Sequence, residues 1–540
     1  MITIRSIISR FYSTVSRGGS KGMVAIAVLM FASLWSLGWY RYSNRWRIWK
    51  PDEVPVAFWA WHSEAPGEND VNRAVNEARA DTLFLRAGQI DLEGGRLRRI
   101  RAVEGKLPAN IDIHLVYNAT RACQAEFERL DPAAFAGLLS ETYQVDASRA
   151  VRDGARVAGI QLDFDVPTRL LGRYRSLLKS TRQMLPSEIR LSITGLVTWM
   201  DSPALQDTLE PVDFWIPQCY GATIPESLSE SQSQPVSSAT MVARAIARAR
   251  GLNCSYYAGL AAYGYAIQYD QNGSLIALRG DLDPALIAND SNFDLVNRGP
   301  FEPSEGTLTG RWRCVYRARN EGVIDGTALH ALDYLMLDVP TAASLREAAR
   351  IVREQGGDNL LGICVFRLPR RNDPTALTIE EVARALSGEE PASSFQIESK
   401  LERELEGKSG AIVSRLRLRI VNDGSARSRL DAGAMALFLS VPAASVATVS
   451  VHGFSSVESY GEASGLDNNL NPMIILRPCT LNRATVLTFS GKQWLPGQEA
   501  TAVIGLGVER PQKLRVSFEV TLDDGKVIRR DKAIDLGSEE

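Results

Sequence analysis

Residues 158–167, AGIQLDFDVP, show the alternation from which we predict the fold. Apolar and polar residues take turns along this stretch, as in a β-strand whose two faces have different surroundings. Side chains alternate in direction along a strand, so Gln161, Asp163 and Asp165 share one face. Because the strand is otherwise apolar, three polar side chains in a row on one face predict a functional site at its end.

Seven further short runs rich in β-branched and aromatic residues accompany this strand, and amphipathic stretches separate them. This is the pattern of repeated βα units around a parallel sheet. Eight units within residues 54–386 predict an α/β protein with a (β/α)8 TIM barrel. The predicted strands are residues 54–61, 82–86, 111–117, 157–165, 190–197, 212–220, 255–263 and 361–366. The predicted helices between them include residues 69–80, 134–150, 170–184, 238–250 and 343–355.

The connection between the seventh and eighth strands is the longest, and we interpret residues 265–340 as an insertion. Within it, residues 266–269 and 274–278 flank the turn sequence DQNG, which predicts a hairpin beside the barrel mouth. The final barrel helix is expected to begin at Thr378, with Glu381 completing a capping box.

The C-terminal part of the chain has a different pattern. Residues 387–395 have the composition of a linker, and alternating runs follow it. These runs predict an antiparallel β-sandwich domain over residues 396–540, with a structural role expected and carbohydrate binding as the alternative. Its predicted strands include residues 415–420, 435–441, 446–451, 500–508 and 514–522.

The N-terminal part predicts a membrane anchor. Residues 22–40 contain no charged side chain and are long enough, as a helix, nearly to cross a bilayer. No small-residue cleavage site follows, which favours an uncleaved transmembrane signal-anchor over a signal peptide, with a buried soluble helix as the other alternative. Residues 1–21 would form a basic N-terminal arm, and residues 41–53 a juxtamembrane linker.

The composition excludes several classes of protein. The chain has 540 residues, 45% of them hydrophobic, and 61 Lys and Arg against 63 Asp and Glu, so wholesale disorder and a dedicated nucleic-acid binder are not expected. The four histidines lack the spacing of a metal site, and we predict no metal and no cofactor. The six cysteines are too few for a disulfide scaffold, and we expect mainly buried free thiols, with some pairing left open.

Asp163 and Asp165 suit acid catalysis. Two neighbouring carboxylates repel each other and burial penalises both charges, so one should keep its proton near neutral pH. A protonated acid beside an ionised one is what glycosidic cleavage requires. The alternative is a structural pair that caps backbone amides or meets Arg169 or Arg367.

Residues 159–167, GIQLDFDVP, resemble the strand-four motif of family 18 glycoside hydrolases, the chitinase-like TIM barrels, in which Asp-Gly-hydrophobic-Asp-hydrophobic-Asp-Trp-Glu-Tyr-Pro is typical. Residues 212–221, 257–265 and 361–367 are similar to further motifs of that family, in the same order. The combination of PVAFWAWHSE, GIQLDFDVP and LSITGL also resembles a bacterial family known as domain of unknown function 3142. The likeness to family 18 glycoside hydrolases covers most of residues 54–386.

The resemblance implies roles for individual residues. Asp165 takes the position of the acid that protonates the glycosidic oxygen, and Asp163 that of the carboxylate steadying an oxazolinium formed from the substrate's own N-acetyl group. Tyr220 matches the tyrosine that orients that carbonyl. Expected to contact the sugar are Gln161, Gln218, Glu64 and the aromatic side chains Trp61, Trp199, Tyr263 and Phe366.

The chain departs from the motif in ways that keep a second mechanism open. Asp165 stands where Glu is usual and is one methylene shorter, and Gln161, Gln218, Gly221 and Phe366 replace Asp, Met, Asp and Trp. In a two-carboxylate mechanism, a base or nucleophile would come from another strand end. The candidates are Glu64, Asp91 and Asp201, with a plain loop charge as the alternative for each. For His62, a polar residue of the barrel rim is expected, with ordering of Glu64 as the alternative.

The sequence thus predicts a glycoside hydrolase that is held in the bacterial inner membrane and acts on an extracytoplasmic polysaccharide. The basic arm would lie in the cytoplasm, with the barrel and sandwich in the periplasm. The alternatives are a catalytically inactive, lectin-like barrel that binds glycan and a component of envelope assembly. Eight basic and no acidic residues lie within residues 1–51, so the rest of the chain is net acidic and is expected to suit an uncharged or cationic glycan.

Overall fold

Helices separate the first seven barrel strands along the chain, except between the second and third, where an additional strand lies instead. The computed structural model describes residues 54–221, 224–301, 310–370, 373–405, 412–430, 433–443, 445–466, 472–491, 493–506, 513–523 and 525–536. Its strands up to residue 261 are β1 (Val56–Ala60), β2 (Ala80–Glu93), β3 (Arg96–Ile100), β4 (Asp112–Ala119), β5 (Arg156–Asp163), β6 (Arg190–Gly195), β7 (Phe214–Pro217) and β8 (Ser255–Ala261). The helices among them are α1 (Glu68–Glu77), α2 (Arg121–Ala125), α3 (Pro132–Asp153), α4 (Leu171–Met184), α5 (Leu205–Leu209), α6 (Leu228–Ser231) and α7 (Ala239–Arg250).

An insertion follows β8 and forms an antiparallel sheet of its own. Its elements are β9 (Tyr265–Tyr269), β10 (Leu275–Arg279), α8 (Pro284–Asn289), β11 (Phe293–Pro300), β12 (Trp312–Ala318), β13 (Gly322–Ile324), β14 (Thr327–Leu329) and β15 (Tyr334–Val339). Five of these strands pair in the order β10-β9-β15-β12-β11. β9 and β10 pair antiparallel across residues 270–273, so the predicted hairpin is confirmed.

The chain then returns to close the barrel with α9 (Ala342–Gln355), β16 (Leu360–Phe366) and α10 (Ile379–Ser387). β16 pairs parallel with β8 and β1, and β1 also pairs parallel with β2. The eight-stranded parallel barrel predicted from the sequence is therefore confirmed. Thr378 caps α10 and Glu381 returns the second hydrogen bond of the capping box, as predicted.

Alternation along the barrel strands sorts side chains into an outer and an inner core. On β2, Leu83 and Leu85 pack against the helices, whereas Phe84 points into the barrel. Each such side chain is fully buried and contributes about 1.5–3 kcal/mol to the free energy of unfolding. The same alternation continues to the carboxyl ends of the strands, where the inward residues become polar.

The inner core requires a glycine on the strand that carries the carboxylates. A Cβ atom at Gly159 would lie 2.5 Å from Nδ1 of His114 and 2.6 Å from the carbonyl oxygen of Arg190. His114 fills this space and is almost completely buried. Gly159 therefore lets the fourth barrel strand approach its neighbours closely.

Two antiparallel sheets follow the barrel and share one apolar core, as expected of a sandwich. The first sheet contains β17 (Phe395–Leu405), β18 (Ile412–Asn422), β20 (Val446–His452) and β24 (Glu499–Leu506), and the second contains β19 (Met435–Ser440), β21 (Ser456–Leu466), β22 (Pro472–Pro478), β23 (Val486–Gly491), β25 (Lys513–Thr521) and β26 (Val527–Asp535). The sequence analysis did not identify β3, β11 to β15, β17, β21, β22, β23 and β26. β3 and β26, for instance, are edge strands rich in charge, so they lack a clear apolar alternation.

The predicted signal-anchor at residues 22–40, its basic arm and the juxtamembrane linker lie outside the described residues. Within the part that the structure describes, no helix has both the length and the apolar character needed to cross a membrane. All six cysteines are described and none forms a disulfide, in agreement with the expected thiols.

Candidate active site

The two acidic side chains of the AGIQLDFDVP stretch stand at the carboxyl end of β5. Asp163 is the last residue of the strand and points inward, whereas Asp165 follows it and is exposed. Phe164, between them, packs outward in the helix-side core. The alternation predicted from the sequence therefore brings both carboxylates to the mouth of the barrel, which is where TIM barrels carry their active sites.

Asp163 is held by donors from two neighbouring strand ends. The Thr194 hydroxyl donates to Asp163 Oδ1 over 2.7 Å, and Nε2 of Gln218 lies 3.4 Å from the same oxygen. Burial, followed by repulsion from Asp165, raises the pKa of Asp163 to about 7, against the opposing influences of the Thr194 hydrogen bond and the Arg86 charge. The group can therefore gain or lose a proton near neutral pH.

Asp165 has a different environment although it lies only two residues further along. No hydrogen bond or ion pair of its carboxylate is found within the described part of the chain. Partial burial raises its pKa, but its side chain remains in contact with solvent. Of the two acids, Asp165 is the more accessible to a ligand.

Gln161 does not belong to the accessible polar row, contrary to the prediction that it contacts substrate. Its side chain is completely buried, and its Oε1 accepts a 2.7 Å hydrogen bond from Nε1 of Trp59. Its Nε2 lies 3.4 Å from the Ser192 hydroxyl. Gln161 thus satisfies a buried indole one layer below the mouth, and it cannot contact a sugar there.

Four of the predicted aromatic residues lie together at the mouth. Phe366, which ends β16, lies 5.8 Å from Trp61, 5.9 Å from Tyr220 and 4.9 Å from Tyr263, measured between ring centroids. Trp61, Tyr263 and Phe366 are only partly buried. Such rings offer the apolar surface on which a sugar ring can stack.

Trp199 is not part of this cluster, so its predicted place in the sugar-binding floor is wrong. It is completely buried in the helix-side core, where it packs against Tyr174. Its Nε1 donates to the carbonyl oxygen of Val166 over 2.8 Å. Trp199 therefore supports the backbone just beyond Asp165 from behind.

Tyr220 belongs to the aromatic cluster at the mouth, and the charge of Asp163 acts on its hydroxyl. It is 6% exposed, and burial, followed by the proximity of Tyr263 and Asp163, raises its pKa well above the usual range. Its hydroxyl therefore stays protonated at all relevant pH values and remains able to donate a hydrogen bond.

The acids proposed for a two-carboxylate mechanism already have cationic partners. Glu64 pairs with Arg370, Asp91 with Arg98 and Asp201 with Arg244, and Asp91 also accepts from the Thr120 hydroxyl. Burial and then the positive charges of Arg370 and Arg367 lower the pKa of His62 to about 4. A neutral His62 has no charge with which to order Glu64.

Three polar residues at the mouth were not identified from the sequence: Arg86, Asn118 and Thr194. Each follows an inward-facing residue by two positions on its own strand. The alternation along these strands would therefore have predicted that all three side chains point inward at the mouth. Arg86 and Asn118 are joined by a 3.4 Å contact from Nε to Oδ1.

The chain has recognisable relatives. The family model described as domain of unknown function DUF3142 matches residues 127–285, which confirms the resemblance inferred from the sequence over that part of the chain. No curated protein matches the chain.

Solved structures with a similar fold include a chitinase from Chromobacterium violaceum, at 14% identity and a TM-score of 0.42, covering 62% of this chain and 99% of that one. A class V chitinase from Pseudomonas fluorescens matches at 16% identity and a TM-score of 0.40, covering 62% of this chain and 99% of that one. A spore cortex-lytic enzyme from Bacillus cereus matches at 13% identity and a TM-score of 0.38, covering 62% of this chain and 74% of that one. These likenesses are weak and do not identify a reaction.

Proposed function

We propose that the protein is a glycoside hydrolase in which Asp165 is the general acid, Asp163 the carboxylate that stabilises positive charge, and Tyr220 the donor that orients the substrate. The observation that carries the proposal is the coupled pair of acids at the barrel mouth, where Asp163 has its pKa raised to about 7 and Asp165 lies exposed beside it. Such a pair holds one proton near neutral pH.

The proton has to be on Asp165 when the bond breaks. In the free protein Asp163 is the deeper acid, and burial and the Asp165 charge raise its pKa to about 7. A sugar bound over the mouth would displace water from Asp165 and raise its pKa further, which favours moving the proton to that side chain. Asp163 would then be ionised, the form that its Thr194 and Gln218 donors stabilise.

The reaction follows from this arrangement. The substrate's N-acetyl carbonyl oxygen attacks the anomeric carbon as the glycosidic C–O bond breaks, and the leaving oxygen takes the Asp165 proton. Ionised Asp163 balances the positive charge on the oxazolinium, and Tyr220 donates to its oxygen. Water then opens the intermediate, and its proton returns to Asp165. The alternative acids Glu64, Asp91 and Asp201 are each engaged with an arginine, which favours this substrate-assisted route over a two-carboxylate one.

Asp165→Asn tests the proposal, with Asp207→Asn at an exposed position of α5 as the matched control for a lost carboxylate. Release of reducing ends from chitin oligomers and peptidoglycan strands should vanish in Asp165→Asn and persist in Asp207→Asn. Binding of the oligomers should survive in both variants. Undiminished product formation in Asp165→Asn would reject Asp165 as the acid.

A glycan-binding barrel without catalysis is the second candidate. It is favoured by Asp165 itself, because a side chain one methylene shorter than Glu reaches less far, and a misplacement of about 1 Å can cost about 100-fold in rate. Wild-type protein that binds the oligomers but releases no product would support this candidate. Asp165→Glu would then be expected to introduce turnover.

We further propose that residues 22–40 anchor the chain in the bacterial inner membrane, with the barrel and sandwich in the periplasm. The uncharged span supports the anchor. Four basic residues lie on each side of it, so the orientation follows from the proposed extracytoplasmic glycan and not from the charge count. A cysteine placed near the C-terminus should react in intact cells with a maleimide that crosses the outer but not the inner membrane. Labelling only after lysis would contradict the proposed orientation.

A further inference from the structure

Arg86 lies at the floor of the barrel mouth. It follows Phe84 by two positions on β2, and Phe84 points into the barrel, so Arg86 points inward one layer nearer the mouth. Its side chain is partly buried. Arg86 pairs in register with Val116, whereas Asn118 and Asp163 pair with each other two positions further along β4 and β5. The long Arg86 side chain reaches their level, because its Nε lies 3.4 Å from Asn118 Oδ1.

The guanidinium of Arg86 has little protein to bind. Its Nε lies 3.4 Å from Asn118 Oδ1, and the Trp61 ring lies 5.7 Å from its central carbon. Within the described ranges, neither terminal nitrogen donates a hydrogen bond and no carboxylate lies within 4 Å. A partly buried charge without a counterion is costly, so a site that keeps one commonly has a ligand to meet it.

A second arginine adds to the positive charge at this side of the mouth. Desolvation and then the charge of Arg101 lower the pKa of Arg86, and only Asp163 opposes them. Arg101, which follows β3, is exposed and forms no ion pair among the described residues. Arg101 follows Ile100, which pairs with Gln89 three residues beyond Arg86 on β2, and the two arginines repel each other. Among the described residues, neither has a carboxylate within 4 Å. An anion in the gap would relieve that repulsion.

We propose that Arg86 and Arg101 bind a sugar carboxylate next to the bond that is cleaved, so that the substrate is an acidic glycan. This proposal rests on the proposed glycosidase function and specifies its substrate class. The two terminal nitrogens of a guanidinium match the two oxygens of a carboxylate, which an ammonium group cannot do. Trp61, which contacts both Arg86 and Phe366, would stack on the ring that carries the carboxylate.

The local charge thus corrects the expectation drawn from the whole chain. The net acidity outside the N-terminal part suggested an uncharged or cationic glycan. At the mouth, however, the acids share a proton, and Arg86 and Arg101 contribute two unpaired positive charges. Recognition depends on the charges within reach of the ligand, because those further than about 10 Å are screened by salt.

Arg86 has one competing role, which is to act as the counter-charge of Asp163. In that role it would favour the ionised form of Asp163 and contact no ligand. Replacing Arg86 would then shift the pH dependence of turnover and weaken the binding of acidic and neutral glycans equally. If Arg86 binds a carboxylate instead, its replacement should weaken the binding of the acidic glycan only.

Calorimetric titration of the full-length protein in detergent tests the proposal. The ligands are a hyaluronan hexasaccharide, which carries hexuronates, and a peptidoglycan tetrasaccharide, which carries lactyl carboxylates. The methyl ester of each removes the charge but keeps the size, and chitohexaose serves as the neutral glycan. The variants are Arg86→Gln, Arg86→Lys and, as the matched control for a lost charge, Arg152→Gln on the exposed side of α3.

We expect one acidic ligand to bind wild-type protein about 10- to 100-fold more tightly than its ester, as for a charge-assisted pair. The ligand that shows this preference identifies hexuronate or lactyl carboxylate as the source. The preference should fall close to one in Arg86→Gln, be intermediate in Arg86→Lys and persist in Arg152→Gln.

Three results would overturn the proposal. Esters that bind as tightly as their acids would show that no carboxylate is recognised. If the Arg86→Gln variant still preferred the acid to its ester, residues other than Arg86 would be responsible for that preference. Binding of chitohexaose alone would overturn the acidic substrate but keep the glycosidase, whereas binding of no glycan would reject both.

Discussion

Thr194 Oγ1 lies 2.7 Å from Asp163 Oδ1 and connects the ends of two adjacent barrel strands, β5 and β6. The hydroxyl donates to the one acid whose pKa is raised to about 7. It therefore favours the ionised form of a group that burial and Asp165 both drive towards protonation. This single bond helps to set the pH at which the pair exchanges its proton.

Thr194→Val should raise the pKa of Asp163 further, because the variant keeps the shape of the side chain but removes the donor. In the proposed mechanism, the limb of the pH–rate profile that reports ionisation of Asp163 should move to higher pH. Turnover at pH 7 should fall about tenfold, the effect of losing one hydrogen bond to a charged group. Thr194→Ser keeps the hydroxyl and should retain the wild-type profile. A profile unchanged in Thr194→Val would show that this bond does not control the pair.

Asp163 should make the protein less stable as the pH rises. The folded protein holds the Asp163 proton up to about pH 7, whereas the unfolded chain releases it near the ordinary value of 3.8. Between these values the folded state binds more protons, so the free energy of unfolding decreases as the pH rises. Asp163→Asn removes this loss. Its stability relative to wild type should be similar at pH 4 and higher by on the order of 2 kcal/mol at pH 8.

Urea denaturation at a series of pH values measures this difference. Asp207→Asn, at an exposed position of α5, is the control and should follow the wild-type curve closely, since exposed ion pairs contribute little. An Asp163→Asn variant that is less stable than wild type at pH 8 would contradict the raised pKa. Such a result would mean that the carboxylate forms an interaction that its amide cannot replace.

The bond between Trp59 and Gln161 should contribute to stability rather than to ligand binding. Both side chains are buried, and Gln161→Leu would leave the Trp59 indole N–H without an acceptor. The loss should be about 1–3 kcal/mol in the free energy of unfolding. In the double variant Trp59→Phe/Gln161→Leu, much of that loss should be recovered, because no polar group is left unpaired. A Gln161→Leu protein with wild-type stability and weakened glycan binding would restore the original prediction for this residue.

Local patterns were sufficient to predict the parts of the fold that depend on neighbours in sequence. The capping box at Thr378 and Glu381 is an example, since its four-residue spacing determines both hydrogen bonds. The inward direction of Asp163 is another, because it follows from alternation along one strand. The hairpin around residues 270–273 depends on its turn sequence in the same way.

Partners distant in sequence could not be predicted. Gln161 looked like a site residue because its acceptor role for Trp59 spans 102 positions of the chain. Trp199 looked like a sugar platform, but its position after β6 turns it into the helix-side core. Arg86 was visible at the end of a predicted strand. Its significance depends on the lack of a carboxylate within 4 Å in the described ranges, which only the three-dimensional arrangement reveals.

A buried ion pair joins the sandwich to the barrel and should be important for stability. Arg427, between β18 and β19, donates to both carboxylate oxygens of Glu381 on α10, with Nε to Oε1 at 2.6 Å and Nη2 to Oε2 at 2.5 Å. Nη2 also donates to the carbonyl oxygen of Ala376. Both side chains are almost completely buried. Arg427→Met would leave the Glu381 carboxylate buried without its partner, at an expected cost of about 3–5 kcal/mol.

The double variant Arg427→Met/Glu381→Gln separates this cost from a general effect of substitution. Glutamine keeps an acceptor for the Thr378 backbone N–H and therefore the capping box, but it carries no charge. The double variant should be more stable in urea than Arg427→Met alone, because no buried charge is left unpaired. Arg419→Met, which breaks a pair on the exposed face of β18, is the control and should lose about 1 kcal/mol or less. If the double variant were no more stable than Arg427→Met, the loss would arise from packing at the interface and not from the unpaired carboxylate.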